Sequence, residues 1–298
     1  MKKVYIFLVT LILLLCSGCK KVTYLERTIY AFDTVVTLKI ECDENLMQEF
    51  ENKIIEYSIL LDDYKEYDIE NICTLNKNRS IEYNVKLWEV LGYCTSINEE
   101  SFNIFIGKVN RLWKEVITSQ SLADESQIEF LLNEAKQTSV QVIDGNIVLI
   151  GNGDIDLGGI AKGYVLDLIV TRLKELEITH YAISFGSSSI AVGEKEDGTS
   201  YKILIKGTNK VIELKHKCLS VSAIDEQFCV IDGNVYHHII DCESGYPKNY
   251  ITKLVIIGDD AKKLDYLTTA LFSKEVEELK EYDITMYAFN GEEQVVGD

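Results

Sequence analysis

The chain has 298 residues, 47% of them hydrophobic, and a formal net charge of −18. That apolar content is enough for a substantial core, and so acidic a surface excludes nucleic acid as a general partner. A locally bound phosphate is not excluded, because backbone N–H groups and a metal ion can hold one.

The N-terminus reads as a unit of its own. Lys2 and Lys3 precede an apolar run over 4–15, followed by Cys16-Ser17-Gly18-Cys19. A basic start, a short apolar stretch and small residues predict an export signal over 1–18, too short for a comfortable membrane span. The Ser-Gly-Cys ending is similar to a bacterial lipobox, with Cys16 where leucine is usual. The similarity implies cleavage before Cys19, a lipid on its sulfur, and a chain held at the extracytoplasmic face of the cell membrane. The alternative is an uncleaved anchor helix. Of eight cysteines, the six beyond Cys19 form no CxxC pair, and their wide spacing predicts buried free thiols rather than a zinc or redox motif.

In chain order, "TIYAFDTVVTLKIEC" predicts one strand over 28–42, rich in β-branched residues. Helices are predicted over 44–62, 84–98 and 125–137. "VQVIDGNIVLIG" and "FCVIDGNVYHHIID" predict hairpins turning at Asp144-Gly145 and Asp232-Gly233. "YAISFGSSSIAVG" and "YKILIKG" add strands. "KLVIIG" is a strand feeding the helix "DDAKKLDYLTTALFSK", and "ITMYAFNGEEQVV" is a hairpin at Asn290-Gly291. Antiparallel hairpins mixed with helices define an α+β fold rather than a doubly wound parallel sheet.

Three stretches carry chemistry. In "DIDLGGIAKGYVLDLIVTRLKE" a helix starts near Ile160 to Gly163, with Gly158 and Gly159 just before it and Lys162 at the same end. Free N–H groups there, a lysine and glycines permitting close approach suit a phosphate. Asp154 and Asp156 would repel one unless a carboxylate meets a base, a sugar hydroxyl or a metal. The stretch matches neither GxxxxGK[ST] nor GxGxxG, so a ligand-free turn is the alternative. In "KKLDYLTTALF", Asp265 and Thr269 share a helix face, either as hard-cation ligands or as a local hydrogen-bonding pair. Asp265 lies beside the leucine stripe, so its removal is expected to leave a folded chain. In "YHHIIDCESGYP" only one of His237 and His238 can face a given site on a strand. It is either a ligand contact or part of a His-Asp corner.

Taken in order, "DLGGIAKGY" (156–164), "YHHIIDCESGYP" (236–247) and "DYLTTALF" (265–272) resemble the ApbE family, the FAD:protein FMN transferases. Weaker matches are "FDTVVTLKI", "SFNIFIGKVNRLW" and "SFGSSSIAVG". The resemblance implies a single domain over 19–298 with a T-fold-like core of antiparallel strands and packed helices. It implies Mg²⁺-dependent transfer of FMN from FAD to a threonine hydroxyl of an exported flavin-carrier protein, with release of AMP. It implies FAD contacts at Phe32, Tyr64, Ser101, Phe102, Asn103, Asp156, Lys162 and His238. It implies metal ligands at the Gly159 carbonyl, Asp265 and Thr269, with His238 and Asp265 in catalytic roles. The chain departs from the pattern at Asn103, at Val221-Ser222-Ala223, at the Ser184–Ser188 turn and at Cys242. Those departures motivate one alternative, an FAD-storing lipoprotein without transfer; another is an FAD pyrophosphatase using the same metal site with water as acceptor.

Overall fold

The computed structural model describes residues 24–297; the expected signal and Cys19 lie outside them. Strands β1 (Tyr24–Ala31) and β2 (Thr34–Glu41) form a hairpin, not the single strand expected over 28–42. Phe32 and Asp33 turn the chain with φ of 54° and 53°. This is a two-residue loop with both central residues left-handed, and it lacks the glycine that usually announces one.

Helix α1 (Glu44–Leu60) begins at Asp43, whose side chain accepts from the Leu46 N–H. It buries Met47, Phe50, Ile54, Tyr57 and Leu60 at helical spacing. Then follow α2 (Ile72–Asn78), β3 (Ser80–Glu82), α3 (Val85–Ser96), α4 (Gly107–Ser119) and α5 (Glu125–Lys136), then β4 (Ser139–Ile143) and β5 (Asn146–Ile150). Next come α6 (Ala161–Glu175), β6 (Tyr181–Phe185), β7 (Ser189–Val192), β8 (Tyr201–Leu204), β9 (Val211–Leu214) and β10 (Lys217–Ala223). The chain continues through β11 (Phe228–Ile231), β12 (Asn234–His237), β13 (Lys253–Gly258), α7 (Ala261–Ala270), α8 (Val276–Leu279), β14 (Thr285–Asn290) and β15 (Glu293–Val296).

Eight strands form one sheet in the order β1-β2-β6-β7-β10-β13-β14-β15, antiparallel at every pairing. Alternation along the strands divides two cores. Leu254 and Ile256 of β13 face a large cluster with α1, α6 and α7. Val255 faces the opposite way, with Phe289, Leu219 and the β8–β9 hairpin. A third cluster around Trp113 joins α4 and α5 to the β11–β12 hairpin, where Trp113 stacks on Tyr236 with ring centroids 5.5 Å apart. The turns Asp144-Gly145 and Asp232-Gly233 have positive φ at both residues, as the sequence predicts. The last hairpin turns one residue later than expected, at Gly291-Glu292, with positive φ only at the glycine. Among the described residues all six cysteines are free thiols, four of them buried.

Helices α6 and α7 meet at Gly163. A Cβ there would lie 2.4 Å from the Asp265 Cβ and 2.5 Å from the Ala261 carbonyl oxygen. Only glycine admits this approach, and it sets the position of everything α7 carries into the site.

Candidate active site

A cleft of about 600 Å³ opens where these elements converge, within the range of small-molecule sites. Its wall includes the Phe32-Asp33 turn, Asp63 and Tyr64 after α1, Asn110 and Lys114 on α4, and Asp156 to Lys162. The β6–β7 turn, the end of β10, His238 and the Asp265–Thr269 face of α7 complete it. Phe32, Tyr64, Asp156, Gly159, Lys162, His238, Asp265 and Thr269 all line this one space. Their sequence positions span more than two hundred residues.

Ser101, Phe102 and Asn103 do not line the cleft. Phe102 packs on Tyr266, ring centroids 5.4 Å apart, and Asn103 Oδ1 accepts from the Phe105 N–H at 2.8 Å in a local turn. The segment is spent on packing and on its own backbone, and Ile106 reaches the cleft instead. The segment that departs from the family pattern at Val221 and Ala223 does sit on the wall, with Ser222 between them, as do Gly186 and Ser188.

The two early carboxylates separate into different jobs. Asp154 pairs with Arg79 at 2.8 Å and closely with Arg111, and does not line the cleft. Asp156 does. Its Oδ1 accepts from the Gly158 N–H at 2.7 Å and its Oδ2 from Asn110 Nδ2 at 2.9 Å, which fixes the glycine turn.

The start of α6 is less open to an anion than the sequence implies. The Ile160 and Ala161 N–H groups both donate to the Leu157 carbonyl, and the Gly163 N–H donates to Asp265 Oδ2 at 2.7 Å. The protein's own carboxylate therefore occupies the helix end. Asp265 Oδ1 accepts from Ser189 and Ser220 hydroxyls, each at 2.9 Å. Asp265 is only 6% exposed. With one bond accepted, Oδ2 keeps a lone pair for a further partner. The Thr269 hydroxyl donates to the Asp265 carbonyl at 3.3 Å and keeps its acceptor capacity. Gly159 abuts this threonine: a Cβ there would sit 2.9 Å from Thr269 Oγ1. A carboxylate oxygen, a hydroxyl oxygen and a neighbouring backbone carbonyl form a hard-oxygen donor set of the kind Mg²⁺ prefers, so these residues fit that ion. Lys162 Nζ lies 3.5 Å from the Gly158 carbonyl, exposed at the same mouth.

The paired histidines differ as strand alternation requires. His237 is fully buried, its Nε2 3.0 Å from the Lys248 carbonyl and its Nδ1 accepting from the Ile239 N–H. Burial lowers its pKa to about 4, so it is a neutral structural group. His238 faces the cleft. Its Nδ1 lies 3.1 Å from the Gln227 carbonyl, which can only accept, so Nδ1 carries the proton and Nε2 presents a lone pair. Burial lowers its pKa from the ordinary value as well.

Tyr64 is half exposed, with Lys114 Nζ 3.9 Å above its ring centre. Burial pushes its phenol well above the ordinary range. Asp63, Asn110, Ser189, Ser220 and Gly163 are not foreseen from the sequence. Only α4 leaves a signal, since Val109, Leu112, Trp113 and Val116 have helical spacing.

An antiparallel sheet with helices packed on one face and a glycine-edged, polar cleft defines an α+β protein with a candidate small-molecule site. The ApbE family signature matches residues 32–285, and the chain belongs to the ApbE family. A protein of Klebsiella pneumoniae described as FAD:protein FMN transferase is 27% identical over 190 residues, covering 61% of this chain and 59% of the relative. One of Chlamydia pneumoniae with the same description is 22% identical over 252 residues, covering 81% and 80%. The matched stretch thus spans less than two thirds of the Klebsiella relative's length. Among solved structures, the ApbE protein of Thermotoga maritima superposes with a TM-score of 0.75 at 21% identity, covering 89% of this chain and 94% of that one. The apo flavinyl transferase ApbE of Pseudomonas stutzeri also gives 0.75, at 19% identity, covering 89% and 90%.

Proposed function

We propose that this chain transfers the FMN half of FAD to a threonine hydroxyl of another protein, releasing AMP. One observation carries the proposal: the glycine turn, the Asp265–Thr269 face and a histidine with an available Nε2 border the same cleft. The descriptions of the family's relatives supply the reaction class.

In the proposed reaction the threonine oxygen forms a bond to the FMN phosphorus. The bond from that phosphorus to the bridging oxygen breaks, and AMP leaves with the bridging oxygen. The threonine proton goes to His238 Nε2, which the Nδ1–Gln227 bond holds in the accepting tautomer. Lys162 faces charge building on the phosphates from the mouth of the turn. Asp156 holds the Gly158 backbone in place. We propose further that the Gly159 carbonyl, Asp265 and Thr269 hold Mg²⁺. When bound, it would neutralise charge on the pyrophosphate oxygens. The lipid anchor at Cys19, an extracytoplasmic location and an exported carrier as acceptor belong to the same proposal, supported by the leader pattern alone.

The test mixes purified chain, FAD, Mg²⁺ and a candidate carrier domain, then reads fluorescence of the carrier on a denaturing gel. A fluorescent carrier band with stoichiometric AMP is expected. AMP with free FMN and no band would mark a pyrophosphatase, and intact bound FAD would mark a storage protein.

A further inference from the structure

Beside the cleft lies a second depression of about 480 Å³, bounded by Lys114, Ile117 and Thr118 on α4 and by Glu226, Gln227 and Phe228 across from them. Lys114, Glu226 and Gln227 line both spaces, so the depression is a groove leading out of the cleft. The Gln227 carbonyl accepts the His238 backbone N–H at 3.2 Å and lies 3.1 Å from His238 Nδ1. The groove therefore begins beside the proposed proton acceptor. Phe228 is 48% exposed and belongs to none of the three apolar clusters. Strand alternation accounts for this: Cys229 turns into the Trp113 cluster, so Phe228 and Val230 on either side of it face outward. Ile117 across the groove is half-buried against the same cluster. The exposed Gln227 amide offers a donor and an acceptor, the pair that a peptide backbone matches. An outward aromatic ring with polar groups around it has the composition of a protein-recognition surface.

We propose that this groove seats the acceptor protein: an extended segment next to the target threonine, with an apolar side chain between Ile117 and Phe228 and its backbone against the Gln227 amide. The inference rests on the proposed transfer to a threonine and adds where the acceptor lies.

Two arguments give the groove to the acceptor rather than to the adenosine half of FAD. Phosphoryl transfer places the attacking and leaving oxygens roughly in line across the phosphorus. A hydroxyl that gives its proton to His238 Nε2 must lie within about 3 Å of it. The acceptor thus enters on the His238 side, where the groove opens, and AMP departs on the other. Charge agrees with this. Lys114 turns its Nζ to the cleft, 3.9 Å above the Tyr64 ring centre, which leaves Glu226 as the charge of the groove. A carboxylate there disfavours phosphates and tolerates a peptide.

The experiment measures transfer kinetics of the purified chain with FAD, Mg²⁺ and the carrier domain labelled in the transfer assay, for wild type, Phe228→Ala and Thr118→Trp. FAD affinity and thermal unfolding are measured alongside. Both positions are exposed, and the Thr118 hydroxyl bonds only the Lys114 carbonyl of its own helix, so both variants should fold. Phe228→Ala removes the aromatic wall and Thr118→Trp fills the groove. Each should raise KM for the carrier about tenfold, the scale of one lost aromatic anchor. kcat at saturating carrier and FAD affinity should not change, the pattern of lost acceptor binding alone. An unchanged carrier KM in either variant would overturn the assignment. So would a parallel fall in FAD affinity, which would give the groove to the nucleotide. If wild type transfers FMN and the variants match it, only this inference falls. If wild type labels no carrier, the proposed function falls and takes this inference with it.

Discussion

Replacing Asp265 separates folding from metal chemistry, but only if the substitution is chosen from the hydrogen-bond geometry. The carboxylate receives the Gly163 N–H at 2.7 Å and the Ser189 and Ser220 hydroxyls at 2.9 Å each. Asp265→Ala strands those donors in a buried place. Ser220 has a second partner in Thr268 Oγ1 at 3.0 Å, which leaves Ser189 and Gly163 without one. At about 1–3 kcal/mol per stranded group, the loss is roughly 2–6 kcal/mol, a large share of a typical domain's 5–15 kcal/mol. The expectation that an alanine here leaves the fold intact is therefore corrected: the residue anchors α7 to α6 and to two strands. Asp265→Asn behaves differently. Its amide oxygen can still accept from Gly163, and its NH₂ can donate to the two serine oxygens, which accept as readily as they donate. Weakened charge-assisted bonds should cost about 1–2 kcal/mol, a fall in Tm of roughly 2–8 °C. The assays are scanning calorimetry and FMN transfer over a Mg²⁺ titration. Asp265→Asn should stay folded and need far more Mg²⁺, or show no rate. Unchanged Mg²⁺ dependence in that folded variant would refute metal ligation by Asp265. An Asp265→Ala chain melting like wild type would refute the burial argument.

Gly163→Ala should destabilise by about 1–3 kcal/mol through overpacking against Asp265 and the Ala261 carbonyl, read as a shift in denaturant midpoint. Stability should fall as pH drops from 6.5 towards 4. His237 takes up a proton near 6.5 when unfolded but only near 4 when folded, so the unfolded state binds more protons in that window. The loss should approach about 3 kcal/mol, measured as urea midpoints at pH 7 and 4.5 and absent in a folded His237→Gln chain. For transfer itself, the lowered pKa of His238 should keep the base form dominant at pH 6.5 and below it. Inhibition on acidification should therefore begin under the ordinary histidine range, and His238→Gln should lose that limb of the profile. Cys19→Ala should abolish fatty-acid labelling and release the chain from membranes or leave it unprocessed; unchanged labelling would reject the anchor.

How far the sequence reveals this structure depends on whether a feature is local. Asp144-Gly145 and Asp232-Gly233 are legible because a two-residue left-handed turn strongly favours those residue types. The turn at Phe32-Asp33 is equally left-handed, yet no glycine or asparagine marks it, so two strands read as one. A bulky residue held at positive φ is costly, and this one sits on the cleft wall, where such strain is typically found. Helix α4 carries a readable stripe at Val109, Leu112, Trp113 and Val116, although it is not among the helices predicted. The site is legible only in part for a different reason. Its donors and acceptors come from segments whose proximity is set by the sheet order and by the contact at Gly163. Ser189 and Ser220 are generic serines until β7 and β10 bring both within 2.9 Å of Asp265. No spacing rule could assign them.

On the proposed function, the same geometry calls for a cation beside the pyrophosphate. A glycine turn leading into a helix ordinarily binds an anion through free N–H groups. In this chain the Ile160, Ala161 and Gly163 N–H groups are already engaged, the last by a carboxylate. The helix end thus holds a negative charge where a simple phosphate site would hold a positive field, and Lys162 alone cannot reverse that for a pyrophosphate. The apparent conflict between acidic residues and a phosphate ligand disappears once Asp265 is taken as both the cap of α6 and the charged member of an oxygen donor set with Thr269 and Gly159. On that account the carboxylate orders the helix start with one lone pair of Oδ2 and offers the other to a metal. Folding and metal affinity are then coupled through a single side chain, which is why asparagine, and not alanine, is the substitution that can tell them apart.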